Sequence, residues 1–321
     1  MQPTLADLEK ASRIVHSVMA PTPQYCWPLL CEQIGAEVWA KHENHTQIGA
    51  FKIRGGLTYF DYLAKSDRKP DGVITATRGN HGQSVGFAAR RYGIPAVVAV
   101  PHGNSREKNA AMRALGVELI EHGEDFQAAR EHAEALARER NLHMVPSFHP
   151  LLVAGVGTLS LELFQAVQDI DIAYVPIGLG SGISGMIAAR DALGLKTSIV
   201  GVVSAQAPTY ALSFEERKAV TYPATTQIAD GLACRAPDLE ALEIIWRGVD
   251  RILQVTDEEI AAAMRLIFEC THNVSEGAGA AAVAGAVQEK SKIAGRKIAV
   301  VISGGNVDRS VFSAVLSSDG E

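Results

Sequence analysis

The sequence is poor in cysteine and aromatic residues, and it has no long apolar run. Its four cysteines, Cys26, Cys31, Cys234 and Cys270, form no C-x-x-C pair in a chain of 321 residues. That count argues against a disulfide framework and reads as reduced thiols of a cytoplasmic protein, with a Cys26–Cys31 bridge or metal pair disfavoured. No stretch reaches the ~18 apolar residues of a membrane-spanning helix. The opening MQPTLADLEK lacks the charged-then-apolar pattern of a secretory signal. There is no basic tract either: 30 Lys+Arg and 36 Asp+Glu are interspersed, for a net charge of -6. Nucleic acid and membrane are therefore not expected as partners. Solenoid repeats, low-complexity tracts and obvious linkers are also missing.

What is present is a hydrophobic share of 47%, enough for a sizeable core. Short β-branched runs alternate with helical patterns along the chain. Strands are predicted at Gly72–Thr77, Ala96–Val100, Val117–His122, Ile172–Gly178, Thr197–Val203, Arg251–Val255 and Lys297–Gly304. Asn104 with Glu107, and Thr256 with Glu259, have the spacing of helix-start capping boxes; the second helix is predicted to reach Glu269. Strand–helix alternation throughout predicts an α/β fold of two parallel sheets covered by helices, as interleaved units. In such sheets ligands bind beyond the carboxyl ends of the strands, which directs attention to the turns after Thr77, Ile177 and Ile302.

Four segments there carry chemistry. In KHENHTQIGAFKIRGG, Lys52 sits at a helix start beside Phe51; buried, its amine would become a usable nucleophile and base. In TATRGNHGQS, a strand ends at Thr77 and a helix begins near Asn80, leaving free N–H groups for a carboxylate or phosphate. In PIGLGSGISG, Gly178, Gly180, Gly182 and Gly185 bare the backbone between strand and helix, as a phosphate cradle or a dinucleotide turn; no P-loop lysine follows. In VVISGGN, Ser303 stands at the tip of a glycine turn.

The order and spacing of these segments resemble the fold-type II pyridoxal-phosphate enzymes, in the threonine dehydratase and serine racemase branch, from about Pro21 to Asn306. The resemblance implies a tryptophan synthase β-like architecture, with residues 72–148 as a small domain inserted in a large cofactor-binding domain of 1–71 and 149–321. It implies that Lys52 carries pyridoxal 5'-phosphate as an imine, with Phe51 beside it. It further implies that Asn80 bonds the cofactor's 3-oxygen, and that Gly178, Gly180, Ser181, Gly182 and Ile183 hold its phosphate. Ser303 would face the pyridine nitrogen, and the Ile228–Gly231 segment would lie near the cofactor; Thr77, Asn80, His81 and nearby backbone N–H groups are expected to receive the substrate carboxylate. The implied activity is dehydration and deamination of a β-hydroxy amino acid such as L-threonine or L-serine, and the implied assembly is a homodimer.

Departures from the family pattern sharpen this. Arg78 stands where racemases carry a second serine, and arginine is a poor proton shuttle. Ser204 and Tyr210 stand where metal-binding members have carboxylates, so no metal is expected. Val156 replaces a usual glutamine, and GLGSG replaces a tetraglycine loop. Little chain follows Ser303, so the effector domain of biosynthetic threonine dehydratases is not expected. Arg78 suggests 3-hydroxyaspartate or phenylserine as alternative substrates, against a salt bridge to a neighbouring Glu or Asp or simple packing of its stem. A racemase, a β-replacement enzyme, a non-catalytic binding protein and a nucleotide-dependent oxidoreductase remain rival readings. The last lacks the acidic ribose partner expected near Gly201–Ser204.

Overall fold

The structure is a computed structural model and describes residues 2–67 and 69–318. Its strands are β1 (Gln24–Cys26), β2 (Glu37–His42), β3 (Val73–Ala76), β4 (Ala96–Val100), β5 (Glu118–Glu121), β6 (His143–Met144), β7 (Ile172–Pro176), β8 (Ser198–Ser204), β9 (Arg251–Val255) and β10 (Lys297–Ile302). They form a six-stranded sheet of order β1-β2-β10-β7-β8-β9 and a four-stranded sheet of order β5-β4-β3-β6. Every pairing is parallel except β1 with β2, an antiparallel edge that the strand pattern did not reveal. The strands β1, β2 and β6 escaped the sequence reading because none has a β-branched run.

Parallel strands covered on both faces must be apolar throughout, and β3, β4, β8 and β10 are buried almost end to end. The helix Gly277–Gln288, GAGAAAVAGAVQ, is made of small residues and is buried through Ala286. Its bare surface lets it lie close against the larger sheet. Around the smaller sheet, Tyr59, Phe60 and Leu63 of the helix Lys52–Lys65 join Val73, Val98 and Val100 in one core. The helix that carries Lys52 therefore packs on the smaller sheet while its N-terminus faces the larger.

Local signals decide the helix ends. Thr256 and Glu259 form a true capping box, and the helix they start runs from Asp257 to Thr271, beyond the predicted Glu269. The other box is not at Asn104: Ser105 caps the helix Arg106–Ala114 by accepting the Lys108 N–H. Asn104 instead donates its side-chain amide to Asn109. All four cysteines are free, with Cys26 and Cys31 sulfurs 3.4 Å apart. Among the described residues no helix is long and apolar enough to cross a membrane.

Candidate active site

Four turns meet at the carboxyl ends of the strands. The segment after β2 folds back so that Ala50 bridges Gly304, and the Phe51 N–H donates to the Ser303 carbonyl at 3.0 Å. Asn306 reinforces this by donating to the Ile48 carbonyl at 2.8 Å. Lys52 thus begins its helix pinned to the turn after β10. From the smaller sheet, the Ser84 hydroxyl donates to the Lys52 carbonyl at 2.6 Å, docking the helix Asn80–Tyr92 on the same point.

The Lys52 ammonium reaches the turn after β7. Its Nζ donates to Ser181 Oγ at 3.0 Å and lies 4.9 Å from the centre of the Phe51 ring. Removal from water lowers its pKa from the ordinary 10.5 to about 8. Ser181 opens the helix Ser181–Ala192, whose N-cap is Gly180 with no side chain capping it. Its first N–H groups are therefore available to an anion at the positive end of the helix. Two glycines here are obligatory. Gly180 has φ +98°, and a Cβ on Gly178 would stand 2.3 Å from the Gly231 carbonyl oxygen. Tyr210 donates to the Leu179 carbonyl at 2.9 Å and so braces this loop.

On the opposite side, Thr77 follows β3, is buried, and accepts the Gly79 N–H at 3.0 Å. Asn80 is held at both ends: its Oδ1 accepts from Asn306 Nδ2 at 2.9 Å, and its Nδ2 donates to Glu276 Oε1 at 2.5 Å. Burial, helped by the charge of Lys52, drives the His81 imidazole down to about 3, so it is neutral. Its buried Nε2 has no hydrogen-bond partner. Ser303 is buried, its hydroxyl making only a long 3.4 Å contact to the Ala278 carbonyl. Arg78 is exposed and has no ion-pair or hydrogen-bond partner among the described residues, so the salt-bridge alternative finds no acid.

The fold therefore draws Phe51, Lys52, Asn80, Ser181 and Ser303 to a common region, linked by the contacts above. The sequence reading missed Glu276, Lys108 and Asn306. Glu276 is 2% exposed at the head of the small-residue helix, and Lys108 forms ion pairs with it at 3.2 Å and with Asp230 at 2.7 Å. A lone acid just before a buried run of Gly and Ala was the available signal for Glu276. Lys108 lies on a helix rich in charge, where nothing marks one lysine as buried. The Ser204 hydroxyl bonds within its own loop, donating to Gln206 Oε1 at 3.2 Å and accepting the Gln206 N–H at 3.1 Å. Among the described residues, no group of three or more His, Cys, Asp or Glu could hold a metal ion.

A half-buried lysine whose amine is desolvated, facing a glycine turn at a helix N-terminus between the two sheets, defines a class: enzymes that hold a phosphorylated carbonyl cofactor on an amine. The comparisons with known proteins agree. The family model described as "Pyridoxal-phosphate dependent enzyme" matches residues 15–304, and the chain belongs to that family. It is 34% identical to the L-threonine ammonia-lyase of Thermotoga maritima, over 98% of this chain and 78% of that protein. It is 30% identical to the L-threo-3-hydroxyaspartate ammonia-lyase of Saccharomyces cerevisiae, over 98% of this chain and 97% of that one. Among solved structures, the processed form of threonine deaminase isoform 2 from Solanum lycopersicum superposes with TM-score 0.89 at 28% identity. It covers 100% of this chain and 95% of its own.

The residues present fit the cofactor. An amine of lowered basicity, an uncapped glycine-rich helix start, and the orphaned Nε2 of His81 together leave partners for an anionic aromatic aldehyde. The cradle gives a direct prediction. Gly178→Ala should force the loop off Gly231 and weaken cofactor retention about tenfold or more, measured by visible absorbance after gel filtration.

Proposed function

We propose that the chain is an ammonia-lyase for β-hydroxy amino acids of the threonine and serine class, releasing a 2-keto acid and ammonia. The observation that carries this is Lys52, a desolvated amine hydrogen-bonded to the head of the glycine loop at 3.0 Å. Lys52, Phe51, Asn80, Gly178, Gly180, Ser181, Gly182, Ile183 and Ser303 would hold pyridoxal phosphate. When bound, the cofactor supplies an electron sink for negative charge at the substrate's α-carbon.

The chain's own groups do the rest. Lys52 Nζ takes the α-proton, and its lowered basicity keeps a neutral fraction near physiological pH. Ser181 Oγ accepts one Nζ hydrogen bond and aims the amine. In the turn from Thr77 to His81 the Thr77 and Gly79 N–H groups are already bonded, so those of Arg78, Asn80 and His81 receive the substrate carboxylate. The Ser303 hydroxyl offers the ring nitrogen a neutral partner, which a carboxylate would not. That choice suits elimination, where charge at the α-carbon is short-lived. Loss of water across Cα–Cβ and hydrolysis of the released enamine complete the balance.

The protein reconstituted with pyridoxal phosphate should yield keto acid from L-threonine or L-serine without any thiol added. Product only with a sulfide or thiol donor would mean β-replacement. D-serine without keto acid would mean racemisation. Either result overturns the proposal.

A second reading of the substrate is favoured by the unpartnered guanidinium of Arg78, and the yeast relative is named for 3-hydroxyaspartate. A second carboxylate would give Arg78 a charge-assisted partner, and an aryl ring as in phenylserine a stacking one. Arg78→Ala should then lower kcat/KM for 3-hydroxyaspartate about 10–100-fold more than for threonine. Equal losses on both substrates would remove the contact.

We also propose that residues 72–148 form a small domain inserted between 1–71 and 149–321, a division supported by the segregation of β3–β6 into their own sheet. The proposed assembly is a cytoplasmic homodimer, and light scattering tests its size.

A further inference from the structure

Glu276 and Lys108 belong to no assigned role, yet they meet inside the site. The Glu276 N–H donates to the Gly304 carbonyl at 3.1 Å, which seats the residue on the turn of Ser303. Its Oε1 accepts from Asn80, while its Oε2 is buried with no hydrogen bond and faces only the Lys108 ammonium, 3.2 Å away. Lys108 itself is 6% exposed and comes from the helix beside the smaller sheet. The same helix start is tied to the larger sheet's side twice more: Ser105 donates to Asp308, and Glu107 accepts the Arg309 N–H at 3.0 Å.

The orientation of Asn80 depends on this chain of contacts. A side-chain amide has one acceptor end and one donor end. Asn306 donates to the Asn80 oxygen and a carboxylate accepts from its nitrogen, so only one flip satisfies both. One of the two Nδ2 hydrogens is used by Glu276, and the other is left for a ligand oxygen. The arrangement requires an ionised acid. Burial raises the Glu276 carboxyl above its ordinary 4.5; the charge of Lys108 is the largest influence holding it down, while Asp230 adds to the rise. A protonated Glu276 would lose the charge-assisted bond, and its hydroxyl would compete for the amide, leaving Asn306 alone to hold the orientation of Asn80.

We infer that Lys108 is a positioning residue of the cofactor site: its ammonium holds the Glu276 carboxylate against the Asn80 amide, and so fixes which end Asn80 presents to the cofactor. This rests on the reading above that Asn80 contacts the cofactor. Lys108 touches no reacting atom. It acts through Glu276, and Asp230 balances the remaining ammonium charge from the other side.

The test is titration of the cofactor-free chain with pyridoxal phosphate, followed by visible absorbance, for the natural protein and for Lys108→Met, Lys108→Arg, Glu276→Gln and Asn80→Ala. Lys108→Met should raise the cofactor Kd about tenfold, the scale of one charge-assisted hydrogen bond, and shift the band of the bound form. Lys108→Arg should restore both. In the Asn80→Ala background, Lys108→Met should change neither, because the path through Asn80 is already cut. An equal effect of Lys108→Met in both backgrounds, or no effect in either, overturns the inference. If Lys108→Met does not fold, Glu276→Gln is compared in the two backgrounds by the same criterion. If Asn80→Ala alone leaves Kd and band unchanged, the reading of Asn80 itself falls and takes this inference with it.

Discussion

Lys52→Ala should reduce keto-acid formation by about four orders of magnitude or more while leaving the chain folded, because a nucleophile and a general base are lost together. The residue is not needed for packing. Its side chain makes a single hydrogen bond among the described residues, to Ser181, and the desolvation of its ammonium is visible in the fall of its pKa to about 8. Removing it should leave the melting midpoint of the cofactor-free protein unchanged or slightly raised. Lys52→Arg is the informative partner: it keeps a cation of similar reach that does not deprotonate in the working range, and it should be as inactive as alanine. The lowered pKa also sets a pH window. In the cofactor-free chain, labelling of Lys52 by an amine-directed reagent should rise through pH about 8, where an ordinary lysine waits until 10.5. Full turnover by Lys52→Ala with normal cofactor content would end the proposal. Labelling that rises only near the ordinary value would show that the amine is solvated.

Much of this was legible in the sequence, for physical reasons that differ from residue to residue. The long strands β4, β7, β8 and β10 announced themselves because a strand covered on both faces must be apolar at every position. The glycine turns were legible because bare backbone has few other uses between a strand and a helix. The capping box of Thr256 is local chemistry, and it formed where predicted. The other predicted box failed because Ser105, one residue on, competes for the same N–H groups and wins. What the sequence hid is non-local. Nothing near Lys108 in the chain says that it will cross to Asp230 and Glu276, separated from it by 122 residues in the first case. Likewise Asn306 gives no hint that it will hold Asn80, 226 residues away. Arg78 was legible as an oddity but not as a free cation, since freedom is a statement about every other acid in the fold.

The same limit hid the group beneath Lys52, where the largest expected loss of stability lies. Arg54, two residues further along the same helix, is fully buried with Glu43 and Lys41, against Glu162 at 8% exposure. Its guanidinium forks between Glu43, at 2.8 and 2.9 Å, and Glu162, at 2.6 and 2.9 Å, and Lys41 reaches Glu162 at 2.6 Å. Two cations and two anions balance with their lone pairs filled, Thr22 and Thr158 taking part in the bonding. Such a cluster need not be a net gain over apolar packing, but removing one partner strands a buried charge, at about 3–5 kcal/mol. Arg54→Met should therefore lower the melting midpoint by about 6–20 °C. The double variant Arg54→Met, Glu43→Leu should lose less than Arg54→Met alone, because it leaves Lys41 paired with Glu162. The acid limb gives an independent reading. Bonds from Arg54, then the charges of Arg54 and Lys41, outweigh the burial of Glu162 and hold its carboxyl at about 2, below the ordinary 4.5. A depressed carboxylate contributes stability that is complete above the ordinary value and is lost as pH falls from 4.5 toward 2. Urea titrations of the natural protein should show that slope, and Arg54→Met should flatten it. An unchanged slope with an unchanged midpoint would mean that Arg54 is solvated and that the helix bearing Lys52 is anchored by other contacts.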